Sequence, residues 1–279
     1  YAWAVWPIRC ADSERIPWFD AAYHDRFVLH GAGYDPRYRG GLDAKEHGIY
    51  SDDYIATEVL TGHPAMVPAP FGRDVVRKYW LLHDILRGLA LRRIDSVEPA
   101  GGDLHRQHVR WEGGGDVWVN RGRTEWSVAG HTLPPFGFYA RVPAPAPASA
   151  AESVTEAAIE RLGGATVEWA RSPSSVYVNA RPVVGTERSP ISFGAASTSG
   201  ACRFHVEDGA LRITPLPDGQ DFTVSWRWRD LPWKLAGASQ AEALDEDGKA
   251  LRRVPVERDG DRATLACKRG EFAYRLIRE

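Results

Sequence analysis

The sequence predicts a chain of two classes, α/β at its start and all-β thereafter, and three observations carry that reading. Residues 16–93 read as two consecutive strand–loop–helix units. At Ile94 the hydrophobic period changes from helical to two. Beyond it, short alternating segments are separated by Gly, Pro and Asp-Gly turns. Two such units cannot close a parallel sheet around a core. Residues 1–93 therefore read as the last two βα units of a TIM-like (β/α)8 barrel, followed by two antiparallel β-domains. The chain opens Tyr-Ala-Trp-Ala, without Met or the basic and apolar regions of a secretory leader, so position 1 reads as a processed start or an arbitrary cut, the cut being favoured.

Ile16-Pro17-Trp18-Phe19-Asp20-Ala21-Ala22-Tyr23 is an apolar run bounded by the charged stretch 12–15, as a buried strand would be. A loop rich in Gly, Tyr, His and Asp follows, from His30 to Gly48. Ser51 supplies an N-cap, with Asp52 and Asp53 in the first turn of a helix whose apolar face is Tyr54, Ile55, Val59 and Leu60 and which ends at Gly62. Pro64 to Val67 is a short candidate strand. Asp74 is placed as the cap of a second helix over 75–93, where Val75, Val76, Tyr79, Trp80, Leu82, Ile85, Leu86 and Leu89 recur at helical spacing.

From His105 to Arg121 the pattern is a hairpin turning at Gly113-Gly114-Gly115, and 124–128 and 136–142 add strands to a small β-domain over 94–142. Pro143 to Ser149 reads as a proline-rich linker. Ser149 and Glu152 read as the capping box of a short helix ending at Gly163-Gly164. Residues 165–279 give nine more strands, most simply a sandwich, with turns at Asp208-Gly209, Asp247-Gly248 and Asp259-Gly260.

Composition limits the function classes. With 35 Lys and Arg against 37 Asp and Glu in 279 residues and no basic run, the chain carries no electrostatic footprint for nucleic acid. Its apolar stretches fall short of the roughly 20 residues of a membrane-spanning helix. Cys10, Cys202 and Cys267 are too few and too widely spaced for a disulfide framework or a metal knuckle, and Cys202 and Cys267 read as reduced and buried. The one excess is 11 Trp, residues that serve equally as core filler and as sugar-stacking surfaces.

The densest polar constellation is Asp20 with Tyr23, His24 and Asp25, followed by His30 and Tyr34. At the carboxyl end of a barrel strand, such residues hydrogen-bond hydroxyls or move protons. Tyr23, His24, Asp25, His30 and Tyr34 are accordingly the expected substrate-binding set. The plainer alternative pairs Asp25 with Arg26 and gives His24 a backbone carbonyl. His24, Asp25, His30, His47 and His63 lack the spacing of a metal-ligand motif, so no metal and no cofactor is expected. Asp52 and Asp53 fit a helix dipole better than an acid–base dyad, and Glu58, in mid-helix, reads as structural. Phe222, Val224, Trp226 and Trp228 form a core stripe, which leaves Trp233 as the candidate exposed aromatic.

Val119-Asn120-Arg121, Trp126-Ser127-Val128 and Leu133-Pro134-Pro135-Phe136-Gly137-Phe138 resemble the small β-domain that trails the catalytic barrel of many glycoside hydrolases. The Ile16–Asp25 segment and Glu58-Val59-Leu60-Thr61-Gly62-His63-Pro64 look like the seventh and eighth barrel segments of such enzymes. The pattern is similar to that of the galactosidase and endo-N-acetylgalactosaminidase group and covers residues 16–142. The resemblance implies a sugar-cleaving parent enzyme acting through two carboxylates. Those acids would lie upstream of Tyr1, so catalytic residues stay unassigned here and only a sugar-cleft role carries over to His24 and Asp25. The expected function is thus the C-terminal part of a glycoside hydrolase cleaving O-glycosidic bonds of oligo- or polysaccharides, with carbohydrate as the partner. The alternative is a non-catalytic carbohydrate-binding or scaffold β-module.

Overall fold

The computed structural model describes residues 18–26, 48–65, 72–144, 153–183, 185–186, 189–217, 219–235 and 237–277. The chain divides into two compact units, Tyr1–Arg161 and Leu162–Glu279. The described residues are 48% strand and 16% helix, with three α-helices among them and antiparallel pairing throughout the strand registers. That overturns the expected α/β class with a barrel portion; the fold is largely all-β.

The expected strand at 16–23 is instead a short helix, α1 (Trp18–Tyr23). A parallel strand needs neighbours to receive its backbone hydrogen bonds, whereas a helix satisfies them internally. The uninterrupted apolar run is compatible with either geometry. Helix α2 (Asp52–Thr61) begins where its cap predicts: Ser51 Oγ accepts from the Tyr54 N–H, and Gly62 closes the helix in the left-handed region at φ 70°. Helix α3 (Arg73–Leu89) starts after Gly72 rather than at Asp74, which lies in its first turn. Of the candidate strand 64–67, Pro64 and Ala65 carry no regular structure and the rest lies outside the described residues.

In the first unit, strands β1 (Ile94–Ala100), β2 (Asp103–Trp111), β3 (Gly115–Asn120), β6 (Phe138–Pro143) and β7 (Val154–Leu162) form one antiparallel sheet in that order, and β4 (Trp126–Val128) with β5 (His131–Leu133) forms a separate hairpin. Strand β7 corrects the helix expected to end at Gly163-Gly164. Pairing with β6 sets Thr155, Ala157 and Ile159 on the covered face, all fully buried, and Glu156, Ala158 and Glu160 on the other. Its Ala- and Glu-rich composition suits a helix, but the sheet partner decides. The Ser149–Glu152 capping box lies outside the described residues.

Helices α2 and α3 pack on the inner face of this sheet, over β3 and β6, whose Val117, Val119, Phe138, Ala140 and Val142 are buried. At Gly88 the approach is close enough that a Cβ would lie 2.8 Å from the Val142 side chain. The resemblance motifs form the joint. Asn120 is fully buried, and its Nδ2 donates to the carbonyls of Thr124, Leu133 and Pro134, fixing the loops around β4 and β5. Next to it, Arg121 Nη2 donates to Asp53 Oδ1 of α2 at 3.0 Å, an ion pair with both side chains buried.

In the second unit, strands β8 (Ala165–Arg171), β9 (Ser175–Asn179), β12 (Ala201–Glu207), β13 (Ala210–Pro215), β19 (Ala273–Ile277), β15 (Gln240–Leu244) and β16 (Ala250–Pro255) form one sheet in that order. The other contains β10 (Ile191–Ser192), β11 (Ala196–Thr198), β14 (Phe222–Arg227), β18 (Arg262–Cys267) and β17 (Glu257–Asp259). Val178, Cys202, Phe204, Ile213 and Tyr274 of the first sheet share a core with Val224, Trp226, Leu265 and Cys267 of the second, so the unit is a sandwich. Phe204 and Trp226 meet edge-to-face at 5.9 Å. The Trp226 and Trp228 stripe is core, and both cysteines are free and buried. Trp233 is half-buried, packs against the core and donates its indole N–H to the Pro173 carbonyl at 2.9 Å.

Candidate functional site

Helix α1 places Asp20 and His24 four residues apart on one face, the same face they would share on a strand. His24 is buried. Its Nδ1 lies 2.8 Å from the Arg92 carbonyl and its Nε2 3.2 Å from the Gly62 carbonyl, while Trp111 meets its ring edge-on at 4.6 Å. Whichever nitrogen carries the proton, a backbone acceptor takes it, and no nitrogen is left for a ligand. Asp20 Oδ1 lies 2.5 Å from His63 Nε2, again with both groups buried. The packing is tight: a Cβ at Gly62 would lie 2.4 Å from the Trp111 ring.

This cluster ties α1 to the end of α2 and to β2. Of the expected substrate-binding set, Tyr23 is exposed and Asp25 lies 3.6 Å from Arg26, the plain pairing considered from sequence. His30 and Tyr34 lie outside the described residues. His24→Ala should therefore act on stability. It deletes a buried hydrogen bond to a backbone carbonyl and a ring contact, at a cost of about 1–3 kcal/mol. Thermal unfolding of the variant should show a clear drop in midpoint, and an unchanged midpoint would contradict the structural role.

A second arrangement lies on the sheet face turned away from α2 and α3. His108, Trp118 and Tyr139 are directly opposed across β2, β3 and β6. Their rings stack at 4.5 Å and 11° (His108 on Trp118) and at 5.4 Å and 13° (Trp118 on Tyr139), and His131 of β5 stacks on Tyr139 at 3.8 Å. A carboxylate holds three of the four rings. Asp116 Oδ1 is 2.8 Å from His108 Nε2, Glu160 Oε2 is 2.8 Å from His131 Nδ1, and the Tyr139 O–H donates to Glu156 Oε1 at 2.7 Å. Burial, and then the hydrogen bond to Glu156 and its charge, push the Tyr139 phenol well above its ordinary range, so it acts as a fixed donor.

Side chains stand upright on a sheet, so rings stacked across the strands cover each other's faces and turn their edges outward. The result is a row in which the edges of His108, Trp118 and His131 and the carboxylates of Asp116 and Glu156 are partly exposed, while Tyr139 and Glu160 are buried beneath it, bordered by Arg141 and Arg110. Such a row can donate to and accept from several hydroxyls at once, but it offers little open ring face for stacking. Sequence reading did not find it. The period-two signal is present (His108 and Arg110, Asp116 and Trp118, Tyr139 and Arg141, Glu156 and Glu160), but only the strand register shows that the rings align.

In the second unit, Glu168 is fully buried and accepts from Tyr177 Oη at 2.8 Å, from Asn179 Nδ2 and from Arg181 Nη2 at 3.0 Å, a satisfied internal network. Among the described residues no group of three or more His, Cys, Asp or Glu is placed to hold a metal, and no helix is long and apolar enough to cross a membrane. No family model, curated protein or solved structure matches this chain.

Proposed function

We propose that this chain recognises carbohydrate, as the β-rich part of a glycoside-hydrolase-type protein, and that it binds the saccharide without supplying the catalytic pair. The observation that carries the reading is the row of His108, Trp118, Tyr139 and His131, with the partly exposed Asp116 and Glu156 already oriented by the rings. Pre-oriented acceptors and donors suit a hydroxyl-rich ligand, because little rotamer entropy remains to be lost on binding. The resemblance at Asn120, Arg121 and Leu133–Phe138 supports the same reading, since those residues form the joint between α2 and the sheet.

The sugar-cleft role expected of His24 is not part of the proposal, because its nitrogens are committed to backbone. The test is calorimetric titration of the full chain with a panel of neutral oligosaccharides, beside an assay with aryl glycosides. Saturable binding without release of the aryl group is expected. Absence of binding across the panel would overturn the recognition reading, and turnover of an aryl glycoside would overturn its non-catalytic part.

A further inference from the structure

The ring row of the first unit is closed at one end and open at the other. Across the strands its outward positions run Glu98 on β1, His108 on β2, Trp118 on β3, Tyr139 on β6 and Ala158 on β7, each opposite the next. Trp118 stacks on Tyr139 from the β3 side, so His131, stacked on the same ring at 3.8 Å, takes the β7 side, above Ala158. Two further observations agree. Ala158 is fully buried although it faces outward, and Glu160, two residues on along the same face of β7, holds His131 Nδ1 at 2.8 Å. At the opposite end the position beyond His108 is Glu98, with 48% of its side chain exposed.

The same hairpin borders one flank of the row. Arg106 Nη2 donates to Thr124 Oγ1 at 2.8 Å and to the Glu125 carbonyl at 3.2 Å, at the entry to β4. The other flank is the next line of opposed residues, Arg110, Asp116, Arg141 and Glu156, whose side chains are 49, 37, 58 and 28% exposed. The hairpin is a fixed wall. Val128 and His131 pair across a two-residue turn, Ala129 and Gly130, both at positive φ (52° and 85°), the kind of turn that matches the twist of its strands. Asn120 anchors the base of the hairpin through the Thr124 and Leu133 carbonyls.

Given the saccharide reading of the row, on which this rests, we infer that the β4–β5 hairpin makes the row blind. It takes the terminal residues of a linear neutral glycan rather than an internal stretch of a polymer, and His131 sets the stop. A glycan lying along the ring edges meets His131 beside Tyr139. It can leave only over His108 and Glu98, or sideways past Arg110 and Arg141. An internal stretch needs both exits, and so a turn of about a right angle, because the row runs across the strands and the open flank lies along them. A chain end needs one exit.

The experiment titrates the full chain with malto-, galacto- and manno-oligosaccharides of increasing length. The series that binds is then followed with its unbranched polymer (amylose, galactan or mannan) in a short and a long preparation, counting protein bound per polymer molecule. Affinity should stop rising after the first few sugar residues, and one protein chain should bind per polymer molecule at both lengths. A count that grows in proportion to polymer length would overturn the blind row while leaving the saccharide reading standing. Absence of binding to every oligosaccharide would remove both. His131→Ala, shown folded by its thermal melt, should admit internal stretches, so its count should grow with polymer length. Ser127→Ala, on the far side of the hairpin, should bind as wild type does. A His131→Ala count that stays at one would overturn the role of His131, and the wild-type count decides the blind row even if that variant does not fold.

Discussion

Arg121→Ala is expected to destabilise the first unit by about 3–5 kcal/mol, the typical cost of stranding one member of a buried ion pair. Asp53 is fully buried, and Arg121 Nη2 lies 3.0 Å from its carboxylate. Removing the guanidinium leaves that charge beneath the sheet and cuts the polar link between α2 and the end of β3. The same logic makes a sharper prediction for the pair. Arg121→Met with Asp53→Leu removes both charges and keeps most of the volume, so the double variant should recover much of the loss. Urea unfolding followed by circular dichroism checks both. A single variant within about 1 kcal/mol of wild type, below the cost expected for a stranded charge, would show that the pair is not a principal tie.

Lys78→Met should rank beside it. Lys78 is fully buried on α3; its Nζ donates to the Ile49 carbonyl and to Glu58 Oε1, each at 2.9 Å, and sits 4.7 Å from the Tyr54 ring centroid. Desolvation pulls the ammonium below its ordinary value, with Glu58 pulling the other way. Methionine preserves the stem but strands the buried Glu58 carboxylate, again at about 3–5 kcal/mol near neutral pH. The deficit should shrink as pH falls, because taking up a proton removes the stranded charge. A deficit that is flat or grows on acidification would place the loss in packing rather than in charge.

These ties show what was legible in the sequence. Ser51, Gly62 and the apolar spacing of α2 and α3 are local signals, and the helices follow them. The alternation of β12, β13, β15 and β18 is equally local, because one face of each strand is buried in the sandwich core. The misses at α1 and β7 are non-local: an apolar run and an Ala/Glu-rich run whose conformations depend on which backbone partners are available. Short strands such as β10, β11 and β17 have too few residues to show a period.

The candidate site divides in the same way. His24 stood out because its residue type and neighbours are conspicuous, and the structure gives it to backbone carbonyls. Glu58 read as structural and is held by Lys78. The ring row was missed because His108, Trp118, Tyr139 and His131 come from four strands, and only their register brings them into one stack.

The decisive measurement is the saccharide affinity of Trp118→Ala and Glu156→Gln relative to wild type, at a temperature where thermal melts show all three folded. Trp118 supplies the middle of the stack and Glu156 its anchored acceptor. Each variant should weaken binding about tenfold or more, one hydrogen-bonded contact to a charged acceptor being worth that much. Wild-type affinity in both folded variants would contradict it.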